Sequence, residues 1–196
     1  MADTLERSAW LKGADAQCCN LPESQASPHR LVLLGAPGVG KGTQAEMLCE
    51  RLGTCHLSTG DVFRAAKSLD ECERSPALNQ ALEMMRRGSL VPDSPVLEMV
   101  KERVVCLRCG GGFLLDGFPR TVAQAEALEE LLTEMGANLA VVPYIEVAED
   151  VLLARLAGRW TCRVCGAMYH QVFSPPKEAG ICDKCGGELY QRPDDA

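Results

Sequence analysis

Residues Leu31–Thr43, LVLLGAPGVGKGT, decide most of what this chain can become. Leu31–Leu34 is an apolar run of strand length, and a turn rich in glycine follows, with Gly35, Gly38, Gly40 and Gly42. Lys41 and Thr43 then open a helix that Gly53 ends. Strand, glycine loop, lysine and helix in that order is the context of a phosphate-binding loop. Glycine lets successive backbone N–H groups turn inward without Cβ clashes, so the loop becomes an anion nest. The helix N-terminus adds partial positive charge and Lys41 a full one. The usual loop places Ser or Thr directly after the lysine, but here Gly42 stands there and the hydroxyl comes at Thr43.

Downstream, strand and helix signals alternate. Ala45, Leu48 and Leu52 share one face of a helix over 43–52. A short strand follows at 54–57, where His56 reads as a packed strand residue rather than a ligand or base. Ser58 or Asp61 can cap the next helix, which carries Arg64, whose fork suits phosphate oxygens. Ser75-Pro76 starts a helix with Leu78, Leu82 and Met85 inward, closed by Gly88. Asp93-Ser94-Pro95 starts another, with Leu97, Val100 and Val104 inward. Phe113–Leu115 is a second buried strand ending in Asp116, at the carboxyl end where a Mg²⁺-handling carboxylate belongs. Beyond the loop Gly117-Phe118-Pro119-Arg120, Thr121-x-x-Gln124 reads as a capping box opening a helix that runs to Gly136. Residues 139–147 form a third core strand, with Pro143 awkward for pairing on both sides. A helix over 148–157 turns Val151, Leu152 and Leu156 inward, and it sets Arg155 on one face with Arg159 if it runs that far. This alternation gives an α/β fold, a parallel sheet with helices on both faces and ligands at the carboxyl ends of its strands.

Composition narrows the function. A net charge of −7 argues against a nucleic-acid partner. No apolar run approaches the ~18–20 residues of a membrane span, and no secretory or transit signal is legible. The expected setting is cytoplasmic, with thiols rather than disulfides for the 11 cysteines. Four of these form Cys162-x-x-Cys165 and Cys182-x-x-Cys185, a zinc-ribbon spacing. A closed site of four thiolates is structural, and although tetrahedral sulfur also suits iron, zinc is the expected ion. The same ribbon could be a nucleic-acid knuckle, but residues 158–190 hold four Lys/Arg against three Asp/Glu, too weak a footprint. Cys106-x-x-Cys109 reads as free thiols in a turn, and residues 1–28 as a disordered N-terminal tail.

The motifs GAPGVGKGTQA, STGDVFRA, LVPD, GFLLDGFPRT and the pair Arg155…Arg159 resemble the adenylate kinase family, in that family's order and over about residues 30–195. The resemblance implies a P-loop nucleoside monophosphate kinase fold: a core of 29–57 and 92–157, an AMP-binding helical insertion at 58–91, and a zinc-ribbon lid at 158–195. It implies the reaction ATP + AMP = 2 ADP with Mg²⁺, carried out by a cytoplasmic monomer with no nucleic-acid or membrane partner. ATP is expected at Gly38, Val39, Gly40, Lys41, Gly42 and Thr43 and, from the lid side, at Arg155, Arg159, Met168 and Tyr169. AMP is expected at Thr59, Arg64, Ser89, Leu90, Val91, Gly117, Phe118, Pro119, Arg120, Gln124 and Arg192. On this reading Gln124 contacts adenine and is more than a cap. Lys41, Arg120, Arg155 and Arg159 are the expected catalytic cations, Asp116 orients Mg²⁺ through water, and Cys162, Cys165, Cys182 and Cys185 hold structural Zn²⁺. Trp160 departs from the family, which commonly has arginine there.

Residues 191–196 resemble the lid's exit, where the family continues into a helix and a last core strand. The expectation is therefore a truncated form in which that helix and strand are missing, the edge of 139–147 is unpaired, and catalysis is impaired. A kinase for another monophosphate, or a non-catalytic nucleotide-binding or zinc-ribbon fragment, are the alternatives.

Overall fold

The computed structural model of the protein describes residues 28–66, 70, 74–86, 91–101, 111–192 and 195. The expected tail (except residue 28), Val104, the Cys106–Cys109 pair, and the nucleotide-site candidates Ser89 and Leu90 lie outside the described residues, as do the side chains of Arg64 and Met85. Internal contacts divide the chain into two units: residues up to Leu34 with Gly42–Pro143, and Gly35–Lys41 with Tyr144–Ala196.

The first unit contains β1 (His29–Gly35, whose last residue belongs to the second unit), α1 (Lys41–Leu52, whose first residue belongs to the second unit), β2 (Cys55–Ser58), α2 (Thr59–Ala66), α3 (Pro76–Arg86), α4 (Asp93–Lys101), β3 (Gly112–Asp116) and α5 (Val122–Glu134). β3 lies between β1 and β2 and is parallel to both. Every residue of β3 is buried, so both faces of the sheet are covered, as a parallel strand requires. Val32, Leu57, Phe113 and Leu115 point to one face and pack with Val62, Leu78, Ala81, Val100 and Leu128 from the helices. The alternate residues Leu31, Leu33 and Leu114 are buried on the other face. The helix ends follow the local chemistry. Ser75 Oγ accepts from Leu78 N–H at the start of α3 (3.3 Å). Beyond α5, Gly136 adopts φ 61° and Ala137 N–H reaches Leu132 O (2.8 Å), a Schellman closure.

The third core strand is shorter than expected. Only Tyr144–Ile145 is regular strand (β4). Residues 140–143 still run along β1, through Ala140 N–H to Arg30 O (2.8 Å), Val32 N–H to Val141 O (3.4 Å) and Leu34 N–H to Pro143 O (3.0 Å). Pro143 has no N–H to return to β1 between these bonds, so the regular ladder is interrupted there.

In the second unit β4 leads to α6 (Glu149–Ala157) and a three-stranded antiparallel sheet, β6-β5-β7, made of β5 (Arg159–Cys162), β6 (Met168–His170) and β7 (Leu189–Tyr190). Two expectations about α6 are corrected. Val151 is exposed, leaving Leu152 and Leu156 as the half-buried stripe. Arg159 does not share a helical face with Arg155, because α6 is capped at Gly158 and Arg159 opens β5 opposite His170. Among the described residues, no helix is long and apolar enough to cross a membrane.

Phe113 and Phe118 carry the largest fully buried side chains among the described residues. Phe113→Ala is expected to destabilise the first unit by about 3–5 kcal/mol, read as a lowered midpoint in urea unfolding.

Candidate active site and cysteine centre

In the second unit, the loop from Gly35 to Lys41 is shaped by what packs behind it. Gly35, Gly38 and Gly40 adopt φ of 143°, 83° and 101°. A Cβ on Gly35 would stand 2.5 Å from Ile145 O, and one on Gly38 2.9 Å from Leu156 Cδ2. Gly40 meets nothing within 4 Å, so its conformation alone asks for glycine. Arg155 Nη1 donates to Val39 O (3.2 Å) and ties α6 to the loop backbone. The Lys41 ammonium folds back over the loop and donates to Gly35 O (2.8 Å) and Ala36 O (2.9 Å). Val39 is buried, while Gly42 and Thr43 continue into the first turn of α1 with Thr43 exposed.

The other cations nominated in this unit are internally engaged. Arg159 grips both carboxylate oxygens of Asp195, through Nε to Oδ2 at 2.7 Å and through Nη2 to Oδ1, and the Asp195 side chain is 0% exposed. Arg192 Nε donates to Oγ1 of buried Thr161 (3.0 Å). Met168 is exposed at the start of β6. Tyr169 turns its hydroxyl inward, 3.5 Å from Cys182 Sγ, where it accepts from Asp183 N–H at 2.8 Å.

The four cysteines form one centre. Cys162-x-x-Cys165-Gly166 and Cys182-x-x-Cys185-Gly186 fold alike: Cys162 and Cys182 donate N–H to Ala167 O (2.8 Å) and Gly187 O (2.9 Å), and Gly166 and Gly186 close the turns with φ of 71° and 72°. Gly187 must be glycine, because a Cβ there would come within 2.7 Å of Val164 Cγ2 and 3.0 Å of Cys162 Sγ. All four sulfurs lie within 4.8 Å of one another, with Cys162–Cys185 and Cys165–Cys182 at 3.5 Å. A tetrahedral ion with metal–sulfur bonds of about 2.3 Å needs sulfurs about 3.8 Å apart, so the donor set fits a metal ion. Charge is already uneven within it. Burial pushes the Cys182 thiol up, but hydrogen bonds from Tyr169 and from the backbone of Cys185 and Lys184 outweigh it and bring it down to about 6. Burial pushes Cys165 up to about 12. A bound metal would deprotonate the remaining thiols.

In the first unit, a second group of nominated residues converges on Gly117, the residue after β3. Thr59 Oγ1 (3.0 Å) and Arg120 Nε (2.6 Å) both donate to Gly117 O. Gly117 has φ 79°, and a Cβ there would stand 2.9 Å from Thr59 Oγ1. Phe118 is buried in the core cluster, with Pro119 half-buried after it and Val91 packed against the same cluster. The capping box is present in half. Thr121 Oγ1 accepts from Gln124 N–H (3.2 Å), but the Gln124 carboxamide reaches Arg120 N–H (2.8 Å) instead of the cap's own. Asp116 ends β3 with Oδ2 3.8 Å from His56 Nε2, a buried nitrogen without a hydrogen-bond partner.

Sequence reasoning missed the roles of His56, Asp93 and Asp195 as neighbours of nominated residues. Asp93 receives Gln124 Nε2 on Oδ1 (2.6 Å) and Thr121 Oγ1 on Oδ2 (2.9 Å). The signal for His56 was available: parallel pairing sets it opposite Leu114, on the face shared by Asp116 two residues on.

A glycine loop with its lysine at a strand–helix junction, in a parallel sheet with a carboxylate at a strand end, defines a P-loop nucleotide-binding protein. The family model described as adenylate kinase matches residues 33–194. The adenylate kinase of Geobacillus sp. strain WCH70 is 56% identical over 84% of this chain and 74% of its own length. That of Bacillus subtilis is 57% identical over the same shares, and that of Carboxydothermus hydrogenoformans 53% over 85% and 76%. The chain belongs to the adenylate kinase family.

Gly38→Ala adds overlap with Leu156 to a strained φ and is expected to destabilise the second unit by about 1–3 kcal/mol. Gly40→Ala meets only the φ strain, so thermal scans should place its melting point above that of Gly38→Ala.

Proposed function

We propose that this chain transfers the terminal phosphoryl group of ATP to AMP reversibly, ATP + AMP = 2 ADP. The observation that carries this reading is the loop itself, in which the Lys41 ammonium is held over the nest by Gly35 O and Ala36 O and Arg155 grips the same backbone at Val39 O. Phosphoryl transfer asks the protein chiefly for positioning and neutralisation of charge. Residues 38–43 wrap the ATP phosphates, and Lys41 follows the moving group. Arg155 and Arg159 neutralise the ATP side, where Met168 and Tyr169 flank the nucleotide. Thr59, Arg64, Ser89, Leu90, Val91, Gly117–Arg120, Gln124 and Arg192 receive AMP, with Gln124 against the base. No general base is required, since the AMP phosphate is already a nucleophile.

Mg²⁺ bound with ATP supplies further neutralisation, and Asp116 is the carboxylate that would hold it through water. Zinc is the ion assigned to the four cysteines, because a closed tetrahedral sulfur set suits it. It is structural, and it stiffens segment 158–195 as a lid that excludes water. The enzyme acts as a cytoplasmic monomer.

A coupled assay with ATP and AMP tests the reaction: ADP formation is expected, and its absence at saturating substrates would overturn the reading. An arginine acting on the transition state is worth ~10³–10⁵ in rate, so Arg155→Ala should lower kcat on that scale, and Lys41→Met should do likewise. Elemental analysis is expected to find zinc equimolar with the chain. Cys182→Ser should abolish that zinc and lower the melting temperature, whereas metal content unchanged by the substitution would reject the assignment.

A further inference from the structure

We propose that Asp93 is a positioning residue that fixes the orientation of the Gln124 amide and so makes the site select adenine over 6-oxopurines. The inference rests on the reading above that Gln124 faces the base of the monophosphate.

Gln124 is buried in the first turn of α5, and its side chain is held from two sides. Arg120 N–H donates to Oε1 (2.8 Å), and Nε2 donates to Asp93 Oδ1 (2.6 Å). Asp93 is held in turn, since its Oδ2 accepts from Thr121 Oγ1 (2.9 Å) and that hydroxyl accepts from Gln124 N–H (3.2 Å). The polarity of this ring is fixed at both ends. A backbone N–H only donates and an ionised carboxylate only accepts. Rotating the amide by half a turn would set NH₂ against N–H and oxygen against carboxylate. Two hydrogen bonds would become two repulsions inside a buried network, where unsatisfied groups are most expensive.

A carboxamide without such partners reads either kind of purine. In one orientation its oxygen and N–H match the 6-amino group and N1 of adenine. Rotated, they match O6 and N1–H of a 6-oxopurine. The two bonds above leave the amide one lone pair and one N–H in a single arrangement. Helix capping does not explain the network, because a capping box needs the Gln124 side chain on Thr121 N–H and has no use for a carboxylate from α4. A site built to pair with one hydrogen-bonding pattern can reject the mismatched analogue by ~10⁴–10⁵, which a freely rotating amide could not do.

The experiment compares kcat/KM for AMP and for IMP, which exchanges the 6-amino group for a 6-oxo group and N1–H without adding a 2-amino group. In Asp93→Asn the side chain can donate as well as accept, so the AMP-to-IMP ratio is expected to fall by about tenfold or more. The KM for ATP should stay near the wild-type value. Asp93→Ser should shift the ratio in the same direction. If either folded variant loses activity on AMP and IMP in equal proportion, Asp93 is only structural and the proposal is overturned. A wild-type chain that makes no ADP from AMP, or a Gln124→Ala variant with unchanged KM for AMP, would defeat the underlying reading, an outcome distinct from an unchanged ratio in Asp93→Asn.

Discussion

The parallel pairing of β1 with β3 is the contact on which the first unit depends. Its register sets Leu33 opposite Asp116, so the strand that ends in the carboxylate stops two residues before the end of the strand that enters the glycine loop. Strand side chains alternate faces, and a slip of one residue would turn Val32 and Leu115 out of the helix-packed core. Burial on both faces therefore enforces the register, and the register places the chemistry. The loop after β3 inherits this precision: Gly117 O gathers Thr59 and Arg120 from elements on either side in sequence.

The second unit is held differently. Around its cysteines the buried apolar cluster is Cys162, Ala167, Cys182 and Leu189, with Trp160, Cys165 and Tyr169 half-buried around it. A core this small rarely supports a fold unaided, and small segments commonly recruit a metal clip. The two knuckles repeat one turn geometry, so the four sulfurs converge by construction. Hydrogen bonds from Tyr169 and from the backbone of Cys185 and Lys184 then lower the Cys182 thiol.

Several of the cations nominated for phosphate already have protein partners. Arg159 is paired with a fully buried carboxylate, Arg120 with Gly117 O, and Lys41 with its own loop. These bonds use only part of each cation's donors, since a guanidinium carries five N–H groups and an ammonium three, so each cation is oriented by the protein and keeps N–H groups for a ligand's oxygens.

Local chemistry made much of this legible in the sequence. Glycine spacing with a lysine at a strand–helix junction specifies a phosphate loop because only that backbone satisfies it. Paired Cys-x-x-Cys turns specify a tetrahedral sulfur site for the same reason, and Ser75, Thr121 and Gly136 mark helix ends through bonds that close within a few residues. The family resemblance carried the nomination of site residues. What the sequence could not determine depends on contacts between distant residues. Pro143 cut the third strand short through its missing N–H, and Gly158 ended α6 before Arg159 could join Arg155. Asp93 met Gln124 across 31 residues and Arg159 met Asp195 across 36. Hydrogen bonds of that span leave no periodic trace in a sequence, because their partners are chosen by how helices and strands pack. The sequence by itself determined which loop has the form of a phosphate loop and which sulfurs converge; only the tertiary structure decided which carboxylates hold Gln124 and Arg159 in place.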